Sequence, residues 1–216
     1  MIDPRPTYAQ AARTLLRTTL LDAASHLLIE YSWSDISMAT IAARAGVSRQ
    51  TLYNEFGSRE EFAQAFALRE ADTFLTAVED SIAEHPDDPH VALRSAFRCF
   101  LRRAEENPLV RAVLVRGPGS DDLLAMFTTR GGPVLTLATE RVTRAVKNHW
   151  TASDEVDVRV VAEVLVRLAI SHATLPTGSI EDAVESISML IGPFVTQVVR
   201  APVGKVARRA SGRSRR

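Results

Sequence analysis

Between residues 37 and 58 the chain carries Ser37, Gly46, Ser48, Gly57 and Ser58, an alternation of hydroxyl residues and glycines that leaves little conformational freedom. A serine oxygen accepts the free backbone N–H groups at the start of a helix. A glycine reaches the left-handed conformation that ends one. The order therefore predicts a helix over 38–45, capped by Ser37 and ended by Gly46, and a second over 49–55, capped by Ser48 and ended by Gly57. Ser58 and Glu61 then read as an S-x-x-E capping box that opens a long helix to about residue 84.

The rest of the chain repeats the helical period. Leu16, Leu20, Ala23 and Leu27, joined by Ala24 and Leu28, mark a first helix over 8–30. Two prolines in "HPDDPH" (85–90) forbid continuation of the long helix. A fifth helix follows to about residue 106, with Leu93, Ala96, Phe97, Phe100 and Leu101 on its apolar side. "NP" at 107–108 restarts a short helix that "GPG" (117–119) ends; another is expected over 120–130, and one over 133–150. Ser153 is the cap expected for the next, whose segment "VRVVAEVLVRLAI" is apolar except for Arg159, Glu163 and Arg167, spaced four apart. A helix that greasy must be covered on several sides. The last helix carries Ile180, Val184, Ile187, Ile191, Phe194 and Val198 on one stripe, interrupted at Gly192-Pro193 by a kink or by a restart. No strand alternation and no internal repeat is evident, so the fold class is all-α.

Hydrophobic residues at 46% suffice for a core. No apolar run reaches the roughly 18 residues of a membrane span, and no secretory signal precedes the first helix. The single cysteine, Cys99, excludes an internal disulfide and fits a reducing cytosol. The net charge is zero, and residues 1–60 balance as well: Arg5, Arg13, Arg17, Arg44, Arg49 and Arg59 face Asp3, Asp22, Glu30, Asp35, Glu55 and Glu60. Any affinity for nucleic acid must come from where charges sit. Lys147 and Lys205 are the only lysines; arginine's fork suits phosphates and guanine edges, and a GC-rich genome gives the same bias.

Three helices with a glycine turn between the second and third make a helix-turn-helix. Ile41, Ala42, Val47 and Leu52 lock the pair together, with Ala45 small where they approach. That leaves Ser48, Arg49, Gln50, Thr51, Tyr53 and Asn54 outside, on a two-turn helix that fits a DNA major groove. Arg49 can reach guanine or phosphate, Gln50 and Asn54 can read adenine, and Thr51 can meet a thymine methyl or a phosphate. Free N–H groups at the starts of these helices suit phosphates.

The stretches "LLDAA" (20–24) and "ISMATIAARAGVSRQTLYNEFGSREEF" (36–62), with Arg17 before them, resemble the DNA-binding signature of the TetR family of bacterial transcriptional regulators. The likeness covers about residues 13–66. It implies about nine or ten helices and two domains, a helix-turn-helix DNA-binding domain over 1–57 and an effector-binding and dimerisation domain over 58–200; the end, 201–216, with six cations and no acid, is expected to be a disordered basic tail. By resemblance Ser48, Arg49, Gln50, Thr51 and Tyr53 take recognition positions, Tyr53 on a phosphate, on a base, or half in the core. Ser37 and Met38 stand where the second helix meets the backbone, and Arg59 where a phosphate is often held. Three positions depart from the pattern: Glu55 in place of a common histidine, Ser32 in place of a glycine, and Met38 in place of a hydroxyl residue.

The resemblance also implies a cytoplasmic homodimer on a palindromic operator of double-stranded DNA, with no cofactor, no metal and no membrane. Val160, Val164, Leu168, Ile187, Ile191 and Phe194 are the expected interface. The expected effector pocket is walled by Phe97, Phe100, Leu101, Leu114, Leu124, Met126, Phe127, Leu137 and Val164. Its aliphatic character favours a hydrophobic, fatty-acid-like ligand that releases a repressor. The Arg-rich composition with "LYNEFGSREE" is similar to actinobacterial members of the family, several of which respond to fatty acids or acyl chains.

An activator, or a helical enzyme or binding protein that reads no sequence, are the competing readings. The enzyme finds little support. His26, His85, His90, His149 and His172 are scattered without metal-ligand spacing, and "RGPGSDD" (116–122) reads as a loop and helix cap.

Overall fold

The computed structural model describes residues 7–114, 125, 129–152 and 155–202. Among them run nine helices: α1 (Tyr8–Glu30), α2 (Met38–Arg44), α3 (Arg49–Phe56), α4 (Arg59–Ala83), α5 (Pro89–Glu106), α6 (Pro108–Leu114), α7 (Gly132–His149), α8 (Glu155–Thr174) and α9 (Ile180–Val198). All but residues 125, 129 and 130 of the helix expected over 120–130, and the cap expected at Ser153, lie outside the described residues, as do residues 203–216 of the basic tail.

The punctuation around α2 and α3 acts as its chemistry requires. The Ser37 hydroxyl accepts the N–H of Thr40 at 3.1 Å, and the Ser48 hydroxyl accepts that of Thr51 at 3.0 Å. Gly46 and Gly57 sit at φ 72° and 79°, the region only glycine enters freely. Ser58 accepts from Glu61 N–H at 3.1 Å, but its own N–H donates to the Phe56 carbonyl at 3.0 Å. The capping box is therefore half made: the donor that Glu61 was expected to satisfy is already engaged.

Helices α1–α3 and the start of α4 close over one core of Leu20, Leu27, Ile36, Ile41, Leu52, Phe62 and Phe66. Trp33 stacks on Phe66 with ring centroids 6.1 Å apart and planes 7° from parallel. Met38 is buried in this core and presents nothing to a DNA backbone. Leu109 of α6 enters the same core.

In the second body α4 packs on α5 and α7, α9 packs on α5, and α7 packs on α8. The α9 stripe of Val184, Ile187, Ile191 and Val195 is buried against Phe97 and Leu101 of α5, with Leu168 half-buried on the same cluster. Ile187 and Ile191 are thus core residues of one chain, not interface residues. Leu101 belongs to this core as well. The helix runs through Pro193 without restarting, and Gly192 makes room for α5, since a Cβ there would stand 3.3 Å from His90 Nδ1.

One feature departs from the all-helical expectation. Trp150–Ala152 (β1) pairs antiparallel with Val199–Pro202 (β2), with a register shift between Thr151 and Ala152. Trp150 therefore ends α7 and begins a ladder, and Ala201 and Pro202, counted above with the tail, are paired backbone.

Phe66 is fully buried beside Trp33 and Phe62. Phe66→Ala should lower the free energy of unfolding by about 3–5 kcal/mol, read from the midpoint of a urea titration at unchanged slope.

Candidate nucleic-acid interface and effector cavity

Helix α3 buries Leu52 and Phe56 and turns its other side to solvent. Ser48, Arg49, Gln50 and Asn54 are exposed, and Thr51 and Tyr53 are half-buried. The exposed groups pair along the helix at i, i+4. The Arg49 guanidinium lies 5.2 Å from the Tyr53 ring centroid and its Nη2 is 3.4 Å from the hydroxyl. Gln50 Nε2 donates to Asn54 Oδ1 at 2.8 Å. The row is held in two parallel pairs that a base or phosphate can enter by exchange. Ser37 is exposed at the start of α2, with its oxygen in the cap.

Arg59, an expected phosphate contact, and Glu55, which departs from the family pattern, both engage the chain's own helices. Arg59 donates to the carbonyls of Ile36 and, at 2.8 Å, Trp33, and its guanidinium lies 4.7 Å from the Trp33 ring centroid. It ties the start of α4 to the α1–α2 connection rather than reaching out for a phosphate. Glu55 faces inward: its carboxylate accepts Arg13 Nε at 3.0 Å and Arg17 Nη1 at 2.8 Å. Burial opposes its charge, but the hydrogen bonds from Arg17 and Arg13 prevail and hold the carboxyl below its ordinary value. Glu55 therefore clamps α3 onto α1, and it draws two arginines that sequence alone left free.

Behind the first body a cavity of about 180 Å³ lies between α4, α5, α7 and α8. Of the residues named from sequence as pocket walls, Phe97 and Phe100 line this cavity. Leu101, Leu137 and Val164 do not: Leu101 packs against α9, Leu137 on the periphery of another cluster, and Val164 faces solvent. Leu124, Met126 and Phe127 lie outside the described residues, and Leu114 is described only as part of helix α6. Among the walls that sequence reasoning missed are Phe74, Leu75 and Val78 of α4, Leu165 of α8, and Trp150. The i, i+4 spacing of Phe74 and Val78 was visible, but spacing reads the same for a filled core and a hollow one.

The cavity meets the first body at two residues. Leu109 lines it and is also 1% exposed within the first core. Glu70 lines it and takes hydrogen bonds from Ser25 of α1 at 3.2 Å, Arg69 at 2.9 Å and Asn107 at 2.8 Å. Arg69 in turn pairs with Asp22 of α1.

A short helix with an exposed polar row, capped and seated on two partner helices, joined to a helical body with an apolar cavity, defines a helix-turn-helix transcriptional regulator. The comparisons with known proteins agree. Residues 20–66 match the family described as bacterial regulatory proteins, tetR family, and residues 88–193 match the bacterial tetracyclin repressor, C-terminal domain. The HTH-type transcriptional regulator AlkX of Mycobacterium tuberculosis is 37% identical over 200 residues, 92% of this chain and 94% of that protein. The crystal structure of the TetR family repressor AlkX from Dietzia sp. strain DQ12-45-1b, implicated in biodegradation of n-alkanes, superposes with a TM-score of 0.75 at 35% identity, covering 84% of this chain and 96% of that one. A TetR-family regulator from Pectobacterium atrosepticum shares the fold at 18% identity, with a TM-score of 0.63 over 91% of this chain and all of that one. The chain belongs to the TetR family of bacterial transcriptional regulators, proteins that bind DNA and dimerise. Its relatives and fold are those of regulators, not enzymes. No helix among the described residues is long and apolar enough to cross a membrane.

Arg49→Ala should weaken binding to the cognate operator by about 1–3 kcal/mol and leave the oligomeric state unchanged, measured by titration of labelled duplex and by sedimentation. Glu55→Gln should lower stability at neutral pH by roughly 1 kcal/mol. Because the folded carboxyl titrates below its unfolded value, that contribution is present at neutral pH and is lost as pH falls below about 4, so the two proteins should converge in acid-unfolding curves.

Proposed function

We propose that the chain is a ligand-controlled repressor, acting in the cytoplasm as a homodimer on a palindromic operator and released when an apolar molecule enters the cavity. The observation that carries the reading is Leu109, one side chain shared by the core that seats α3 and by the cavity wall. A ligand that needs the space Leu109 occupies binds the two arrangements of the first body unequally, which is the condition for a ligand to shift them. Ser48, Arg49, Gln50, Thr51, Tyr53 and Asn54 are the proposed reading surface. Ser37 adds a phosphate contact at the start of α2.

For the dimer we assign the outer faces of α8 and α9. Val160, Val164, Met189, Leu190 and Phe194 are large apolar side chains left exposed on the single chain. Val160 and Val164 share α8 with the Arg167–Glu163 pair, joined at 2.8 Å. Two such faces related by a two-fold axis cover one another. The relative's description as a repressor implicated in n-alkane biodegradation supports both repression and a hydrocarbon-related ligand.

Phe194→Glu should shift the protein toward monomer in sedimentation and weaken operator binding more than tenfold, with helical content unchanged by circular dichroism. A footprint on an inverted repeat beside the protein's own gene, lost on adding an aliphatic ligand, tests the whole reading. A footprint with no dyad symmetry would overturn the palindromic part.

A further inference from the structure

The start of α1 runs clear of the core that its second half builds. Residues 8–15 are exposed, and burial begins at Leu20. From residue 8 to residue 20 the helix rises roughly 18 Å. Thr7 and Gln10 cap its start reciprocally: the Gln10 N–H donates to the Thr7 hydroxyl at 3.3 Å, and the Thr7 N–H donates to Gln10 Oε1 at 2.8 Å. Two arginines then tie the segment to Glu55 of α3. Arg17 donates to that carboxylate at 2.8 Å, and its guanidinium lies 4.3 Å from the Phe56 ring centroid, so it serves the fold. Arg13 is held differently. It bonds both Glu55 oxygens through Nε alone, at 3.0 Å, and its side chain is 67% exposed. The N–H donors of its two Nη groups have no partner among the described residues.

Successive residues of α3 turn through about 100°. Leu52 and Phe56 point inward, so Asn54 points out, with Tyr53 on one flank and Glu55 on the other. A helix with its side chains is about 10–12 Å across, and the DNA major groove is about 12 Å wide. A reading helix in that groove therefore turns each flank toward a phosphate strand. Arg49 lies over Tyr53 on the first flank, and Arg13 is bonded to Glu55 on the second. The charge has the right sign: between residues 4 and 21 the sequence holds Arg5, Arg13 and Arg17 and no acid.

We infer that Arg13 holds a DNA phosphate on the α1 flank of the reading helix, with Glu55 keeping Nε and so aiming the Nη groups at the phosphate oxygens. This rests on the α3 reading surface proposed above and extends it to a second element. A guanidinium offers more than one edge, so the bond to Glu55 is kept while the phosphate is held. The contact is charge-assisted and blind to sequence. It adds affinity and register, not discrimination between bases.

The test uses the full chain with two labelled duplexes, one bearing the footprinted inverted repeat and one of random sequence, titrated over a series of salt concentrations. Arg13→Gln should weaken binding to both by the same factor, roughly tenfold at about 0.1 M salt, and lower the slope of log K against log salt by about 0.9 for each bound copy of the chain. Arg13→Lys, which keeps the charge, should restore the slope. Ethylation of single phosphates in the inverted repeat should reveal one in each half-site whose modification weakens the wild type and leaves Arg13→Gln unaffected. A loss confined to the inverted repeat, with the slope kept, would mean that Arg13 only seats α3 and would overturn the inference. So would an unchanged slope with unchanged affinity, or the same ethylation pattern in both proteins. If the wild type binds the two duplexes equally, the α3 reading surface itself falls, and this inference with it.

Discussion

Besides the continuous helix α4, the two bodies of this protein are joined by the contact of α6 with the core beneath α3. Leu109 fills a place there that no residue of the first three helices fills. Beside it Asn107 donates one hydrogen bond to Glu70 and accepts two at the start of α6, from the N–H groups of Leu109 and Val110. Burial of a leucine is worth about 1.5–3 kcal/mol, of the same order as a typical coupling free energy between sites. That match makes α6 a suitable place for a switch. A stronger tie would lock the bodies together, and a weaker one would leave the cavity mute.

Helix α4 makes the geometry of that tie consequential. Its first residue, Arg59, is bound to the carbonyls of Trp33 and Ile36, its middle carries Arg69 and Glu70 against α1, and its remainder is cavity wall. Arg141 of α7 holds the same helix further along through Asp72 and Glu79. In the ligand-controlled regulator proposed above, this helix is the covalent route by which a displacement at Phe74 or Val78 would reach Arg59 and Trp33.

Most of the helix boundaries could be read in the sequence because each is set by local chemistry: the serine caps, the glycines at positive φ, the prolines of 85–90. So could the exposed row on α3, since Leu52 and Phe56 must point inward together. What the sequence withheld depends on long-range partners. Glu55 read only as a departure from a common histidine; its partners Arg13 and Arg17 lie 42 and 38 residues away, beyond the reach of any local pattern. Ile187 and Ile191 looked the same as Leu190 and Phe194 because α9 is apolar on both faces. Only the position of α5 decides which face is the interior. The ladder at Trp150 escaped notice because it is three residues long and pairs with a segment nearly fifty residues on.

That ladder bears on how the cavity is closed. Val198, Val199 and Trp150 all line the cavity, so the end far from α3 is shut by the junction of α7 with the end of α9. The outer face of the same α9 carries Leu190 and Phe194, assigned to the partner chain. In the ligand-controlled repressor proposed above, a molecule in the cavity would meet Val195 and Val198 of α9, the helix whose outer face is assigned to the dimer, and Leu109, which enters the core that seats α3. A ligand that spans both would act on the spacing of the two reading helices from both sides, and one that reaches only one of them would act from one side alone, so on this reading length matters for release as well as affinity.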